Sequence, residues 1–170
     1  MAASPDPADQ ADYVLVRGVL LLMDGEAARA FDDLAGTFED HPGIRMARPL
    51  NLLSHIASWS GDIRRVRRAL ALPEGKPWHG RVLEIMVRHL EATAAVLTDT
   101  DNGERLGAVA DDLEALGLFL DATMTRAELA LLPTDPVLAA DADRRAREGF
   151  AGMGGQGLLG LYERALAGRR

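Results

Sequence analysis

Apolar residues recur every three or four positions along most of the chain, and no stretch alternates with a period of two for long enough to make a strand. The pattern predicts about nine helices joined by short turns. A first helix over about 9–24 is apolar nearly all round at Val14, Leu15, Val16, Val19, Leu20 and Leu22. A second, over 26–39, carries Ala27, Ala30, Phe31, Leu34 and Phe38 on one stripe, and His41, Pro42 and Gly43 stop it. A third is expected over 44–60, and a fourth over 62–72 packs through Ile63, Val66 and Leu70. Pro73, Gly75 and Pro77 make a break, after which a fifth helix over 79–98 shows the clearest stripe, from Val82, Leu83 and Met86 to Leu90, Ala94 and Leu97. A sixth covers 104–116 and a seventh extends to Leu132. Asp135 and Pro136 predict the cap and first residue of an eighth, which runs to about Met153. Gly154, Gly155 and Gly157 separate it from a last helix ending at Gly168. Residues 1–8, with Pro5, Asp6 and Pro7, are expected to be a disordered lead-in, and 9–168 a single helical domain.

Small residues sharpen this picture. Gly18 in the first helix and Ala30 in the second allow two backbones to approach, Gly25 permits a tight turn between them, and Pro42 ends the unit. In these four positions the segment resembles a tetratricopeptide-type repeat, although Leu34 stands where that repeat has an aromatic residue. Gly61-Asp62 resembles the turn of a second unit, with Leu53 and Leu70 as apolar positions but Ser54 and Val66 in place of small residues. Farther on, Leu113–Gly117 and Phe150–Gly154 each end a helix in an apolar residue followed by glycine. With Arg126-Ala127-Glu128-Leu129 and Leu161–Leu166, these segments resemble the C-terminal helical-repeat arm of bacterial LuxR-type ATP-dependent regulators and of ATPase-linked nucleotidyl cyclases. The resemblance implies antiparallel helix pairs stacked as a short right-handed solenoid. It also implies a sensor or scaffold role in signalling or transcription regulation. The chain shows no phosphate-binding loop, no cyclase aspartates on strands and no DNA-binding module.

Composition narrows the function classes. A chain of 170 residues suits one domain and can bury roughly 70% of the surface of its unfolded form without a metal or disulfide staple. The absence of cysteine excludes disulfides, thiolate zinc sites and thiol catalysis. Only 5% of residues are aromatic, so Ala, Leu, Val and Met must fill the core. The net charge of −7 argues against nucleic acid as a partner. The apolar run Val19–Met23 is far too short to span a bilayer, and no basic leader is visible, so a cytoplasmic location is expected.

Motifs with chemical potential are few. Gly152–Gly157 fits G-x-G-x-x-G, but a dinucleotide site needs a strand before it and an acid about 20 residues after it, so a helix–helix turn is expected. His41, His55, His79 and His89 show no metal-ligand spacing, and they are expected at surface or boundary positions. The acidic neighbours Asp32-Asp33 and Asp111-Asp112 point apart on a helix and suit solvated surface. Arg64, Arg65, Arg67 and Arg68 form a basic patch, echoed by Arg144, Arg145 and Arg147, and acids nearby in sequence can pair with them. Trp59 and Trp78 sit beside breaks and suit a joint between the first four helices and the rest.

The sequence therefore predicts a non-catalytic scaffold that needs no metal or cofactor and binds a protein partner along the first helices of its pairs, with Arg17, His55, Trp59, Arg88 and His89 as contact candidates and homo-oligomers possible. The alternatives are a small-molecule-sensing bundle with a pocket near the tryptophans, and a helical enzyme in which two histidines and a carboxylate meet in one cleft.

Overall fold

The computed structural model describes residues 7–40, 47–75 and 80–168. These form nine α-helices and no strand. They are α1 (Pro7–Met23), α2 (Ala27–Asp40), α3 (Ala47–Ser60), α4 (Ile63–Ala71), α5 (Arg81–Leu97), α6 (Glu104–Ala115), α7 (Phe119–Leu131), α8 (Pro136–Gly152) and α9 (Gln156–Ala167). The all-helical reading holds, and the boundaries differ from the expected ones by a few residues. Residues 1–6 of the lead-in, the stop signals His41, Pro42 and Gly43, and Trp78 and His79 lie outside the described residues.

The predicted turn chemistry is present. Gly25 and Gly61 both adopt left-handed φ, +83° and +62°, and join α1 to α2 and α3 to α4. A side chain at either would strain the backbone, which is why the two turns share a glycine. At Gly18 the requirement is space. A Cβ there would lie 2.8 Å from Leu34 Cδ1, so α1 and α2 cross at the small residue. Asp62 caps α4 by accepting from Arg64 N at 2.9 Å. Asp135 caps α8 by accepting from Val137 N at 2.8 Å and Leu138 N at 3.1 Å, with Pro136 in the first turn.

Each helix packs on the next along the whole order, from α1 on α2 to α8 on α9. Further contacts join α3 to α5, α3 to α7, α1 to α9 and α7 to α9. A head-to-tail stack of pairs would hold α1 from α9 and α3 from α7, so the chain folds back on itself. The middle of the molecule lies along α3 and α7. Leu53 to Trp59 are buried without interruption, and so are Ala122 to Leu129. One apolar core runs from Phe31, Leu34 and Phe38 through Leu53, Ile56, Met86 and Leu113 to Phe150 and Tyr162. A smaller one, around Val96, Leu106, Leu129 and Ala142, joins α5 and α6 to α7 and α8. Trp59 does act as a joint. Its ring lies 6.5 Å from that of Tyr162, tying α3 to α9.

Candidate functional site

Uninterrupted buried runs on α3 and α7 and the buried stripe of α5 bring polar side chains inward. On α3, His55 follows Leu53 and precedes Ile56, all fully or almost fully buried. On α5, His89 lies one turn from Met86 and next to Leu90. On α7, Glu128 is flanked by Ala127 and Leu129. His55, His89 and Glu128 are 3%, 0% and 0% exposed, and they meet.

Glu128 stands between the two imidazoles. His55 Nδ1 lies 2.7 Å from its Oε1, and His89 Nε2 lies 2.5 Å from its Oε2. The rings are edge to face with centroids 5.1 Å apart. In each short contact the imidazole N–H donates to a Glu128 carboxylate oxygen. Beyond His55, Nε2 stands 3.4 Å from Asp121 Oδ1, close enough for an ion pair and long for a hydrogen bond. Asn51 Nδ2 donates to that same oxygen at 2.6 Å and orients it. A second polar pair nearby, Ser58 Oγ and Thr93 Oγ1 at 3.0 Å, also bridges α3 and α5.

Burial opposes charge on every member of this group, and the group's own charges prevail. Burial lowers the affinity of His55 for a proton, but the Glu128 charge, the approach of Asp121 to Nε2 and the hydrogen bond to Glu128 more than reverse this, raising its pKa to about 9. Burial pushes Glu128 up, and the charges of His89 and His55 bring it to a net position below its ordinary value. Asp121 follows the same balance, drawn below its ordinary value through His55 and Asn51. His55 is accordingly an imidazolium held between two carboxylates in the neutral range.

The expected surface or boundary places for His55 and His89 are thus corrected. Both sit inside because their helices pass through the middle of the fold. His41 and His79 lie outside the described residues. The partner-binding candidates divide accordingly. His55, His89 and Trp59 are buried and cannot meet a partner. Arg17 and Arg88 are at the surface, paired with Asp33 at 2.8 Å and with Asp112. The first helices of the pairs, α3, α5 and α7, converge in the interior, so no open face runs along them.

The basic patch is largely neutralised. Arg64 and Arg65 pair with Asp62, and Arg68 bridges Glu39 and Asp32. Arg67 is exposed and makes no ion pair with a described residue. The adjacent acids do point apart. Asp32 and Asp33 go to different arginines, as do Asp111 and Asp112. Gly152–Gly157 is the turn between α8 and α9. Two open clefts of about 330 and 320 Å3 flank Arg126 and Arg145, and neither is lined by the His–Glu group.

Glu128, Asp121 and Asn51 escaped sequence reasoning as site residues. The usable signal was polar residues falling on the apolar stripes of several helices, as His89 does beside Met86 and Leu90.

No protein-family model, no curated protein and no solved structure matches the chain. Among the described residues, no helix is long and apolar enough to cross a membrane.

Proposed function

We propose that this chain is a non-catalytic helical-repeat scaffold or sensor module that takes a protein partner on the outer face of α1. The observation that carries this reading is an unpartnered apolar row. Tyr13, Val16 and Leu20 are 66%, 61% and 60% exposed, with Val19 beside them, while Gly18 and Leu22 on the opposite side of the helix are buried. Spacings of three and four residues place the exposed side chains on one face. A helical-repeat stack needs a polar outer face on its terminal helix to remain soluble. α1 lies at the edge of the helix packing, against α2, α3 and α9, and its outward side is apolar. An apolar helix of a partner, laid along α1, supplies the missing cover.

The burial of His55, His89 and Glu128 supports the non-catalytic part of this reading, because a substrate has no described cleft through which to meet them. The resemblance to the arms of bacterial regulators suggests signalling or transcription regulation in the cytoplasm as the setting. The experiment places a photo-crosslinking residue at Val16 and, as a control, at the still more exposed Val137 of α8, in the native host. A protein crosslinked from Val16 and not from Val137, and lost when Leu20 is also changed to Asp, is the expected result. Equal labelling from both positions, or none, overturns the proposal.

A further inference from the structure

We propose that His55, His89 and Glu128 form a binding site for one divalent transition-metal ion of the zinc class, which clamps α3, α5 and α7 together. The donor atoms of the three residues all lie within 4.8 Å of one another. Each residue offers one donor atom, so two imidazole nitrogens and one carboxylate oxygen make a three-donor set. Two imidazoles and a carboxylate suit zinc, which takes nitrogen and oxygen donors at about 2.0–2.2 Å. A tetrahedral ion with such bonds sets neighbouring donors roughly 3.3 Å apart. The present contacts of 2.5 and 2.7 Å are hydrogen-bond distances, so the donors must separate by about 0.6–0.8 Å to admit the ion.

A divalent ion displaces the protons that these nitrogens otherwise donate to Glu128, and it faces all three residues at once. One further observation favours a metal. The outer nitrogen of His55 already faces a carboxylate, Asp121, which Asn51 holds in place. That is the carboxylate–histidine–metal arrangement, in which Nε2 keeps its proton toward Asp121 and the ion displaces the proton that Nδ1 shares with Glu128. His55 and Glu128 are 73 residues apart in sequence, so an ion on them ties α3 to α7 across that span. This proposal is independent of what binds α1.

The full-length chain, stripped with a chelator, is titrated with zinc while bound metal, melting temperature and the 15N resonances of the histidine rings are recorded. The expected result is one zinc per chain. At free zinc about 100 times the dissociation constant, the melting temperature rises by roughly 5–10 °C. The ring signals that move are His55 Nδ1 and His89 Nε2, with those of His41 and His79 unchanged. H89Q, where it folds, binds at least 100-fold more weakly, and D121N about 10–100-fold more weakly. The ring resonances are read on the native chain, so the test stands even if the variants do not fold. No stoichiometric binding by the native chain overturns the proposal. So do shifts confined to His41 and His79, or unchanged affinity in a folded H89Q.

Discussion

His55 Nδ1 lies 2.7 Å from Glu128 Oε1, across 73 residues of sequence and with both side chains sealed from solvent. Breaking a buried pair from one side leaves the other charge without compensation, which costs about 3–5 kcal/mol. Glu128 has two dependants, since His89 leans on it as well. Glu128→Ala is therefore expected to lose at least that amount in urea denaturation, and Glu128→Gln, which retains shape and some hydrogen bonding, somewhat less. A loss below about 1 kcal/mol for Glu128→Ala contradicts the pairing.

The same contact makes stability depend on pH in a definite direction. In chelator-treated protein, His55 holds its proton up to about pH 9 when folded, against an ordinary value of 6.5. Its contribution is fully present below about pH 6.5 and disappears as pH rises through 9, a difference of roughly 3 kcal/mol at most. Glu128 acts in the opposite sense. Its folded value lies below its ordinary 4.5, so its contribution is present above that pH and is lost as pH falls. Urea midpoints measured from pH 4 to 10 are expected to be highest between about 4.5 and 6.5 and to decline through the alkaline limb. His55→Gln is expected to flatten that limb, and an alkaline decline of unchanged size in a folded His55→Gln assigns it to another group.

Two glycines within helices separate packing from propensity. At Gly149 on α8, a Cβ would fall 2.4 Å from Thr123 Oγ1 and 2.8 Å from its Cγ2, where α7 and α8 cross. Thr123 is itself fixed by donating to Phe119 O at 2.8 Å. Gly149→Ala is expected to cost about 1–3 kcal/mol through overpacking. Gly36 on α2 has nothing within 4 Å of the same position, so Gly36→Ala is expected to stabilise by about 0.5–1 kcal/mol through helix propensity. Thermal melts of the two variants moving in the same direction would contradict this crossing.

Arg126 offers a contrast with Glu128. Its side chain is 8% exposed, yet its partners Asp111 and Glu114 on α6 are 64% and 44% exposed. Removing the arginine strands no buried charge, because both carboxylates keep water and Arg145. Arg126→Met keeps an apolar stem in place and is expected to cost about 1 kcal/mol or less. A loss of 3 kcal/mol in urea denaturation shows instead that Arg126 anchors α6 on α7.

The helices, the Asp135 cap and two of the turns were legible because each rests on local chemistry. Asp135 before Pro136 and the left-handed Gly25 and Gly61 need only their neighbours in sequence. The polar centre was not legible, since His55, His89 and Glu128 come together only through the packing of α3, α5 and α7. Periodicity shows that His89 shares a face with Met86 and Leu90, but not which residue on another helix answers it. The expected groove along the first helices failed for the same reason. Their folding back on one another is a long-range event, carried by contacts such as α3 with α7.

The two sides of α1 make opposite predictions. Leu22 is 3% exposed and belongs to the main core, so Leu22→Ala is expected to cost about 2–5 kcal/mol. Val16 and Leu20 lie on the other side and touch solvent over most of their surface. Substitutions at such positions usually stay within about ±0.5 kcal/mol, so Val16→Asp and Leu20→Asp are expected to leave the melting temperature almost unchanged. The aspartates remove an apolar row, so association at high concentration, read by sedimentation, is expected to fall or to stay at monomer level. If Val16→Asp destabilises the chain as strongly as Leu22→Ala, that face is covered from within the chain and cannot be a partner's seat. If stability holds and the Val16 crosslink is lost, the row's role is recognition rather than folding.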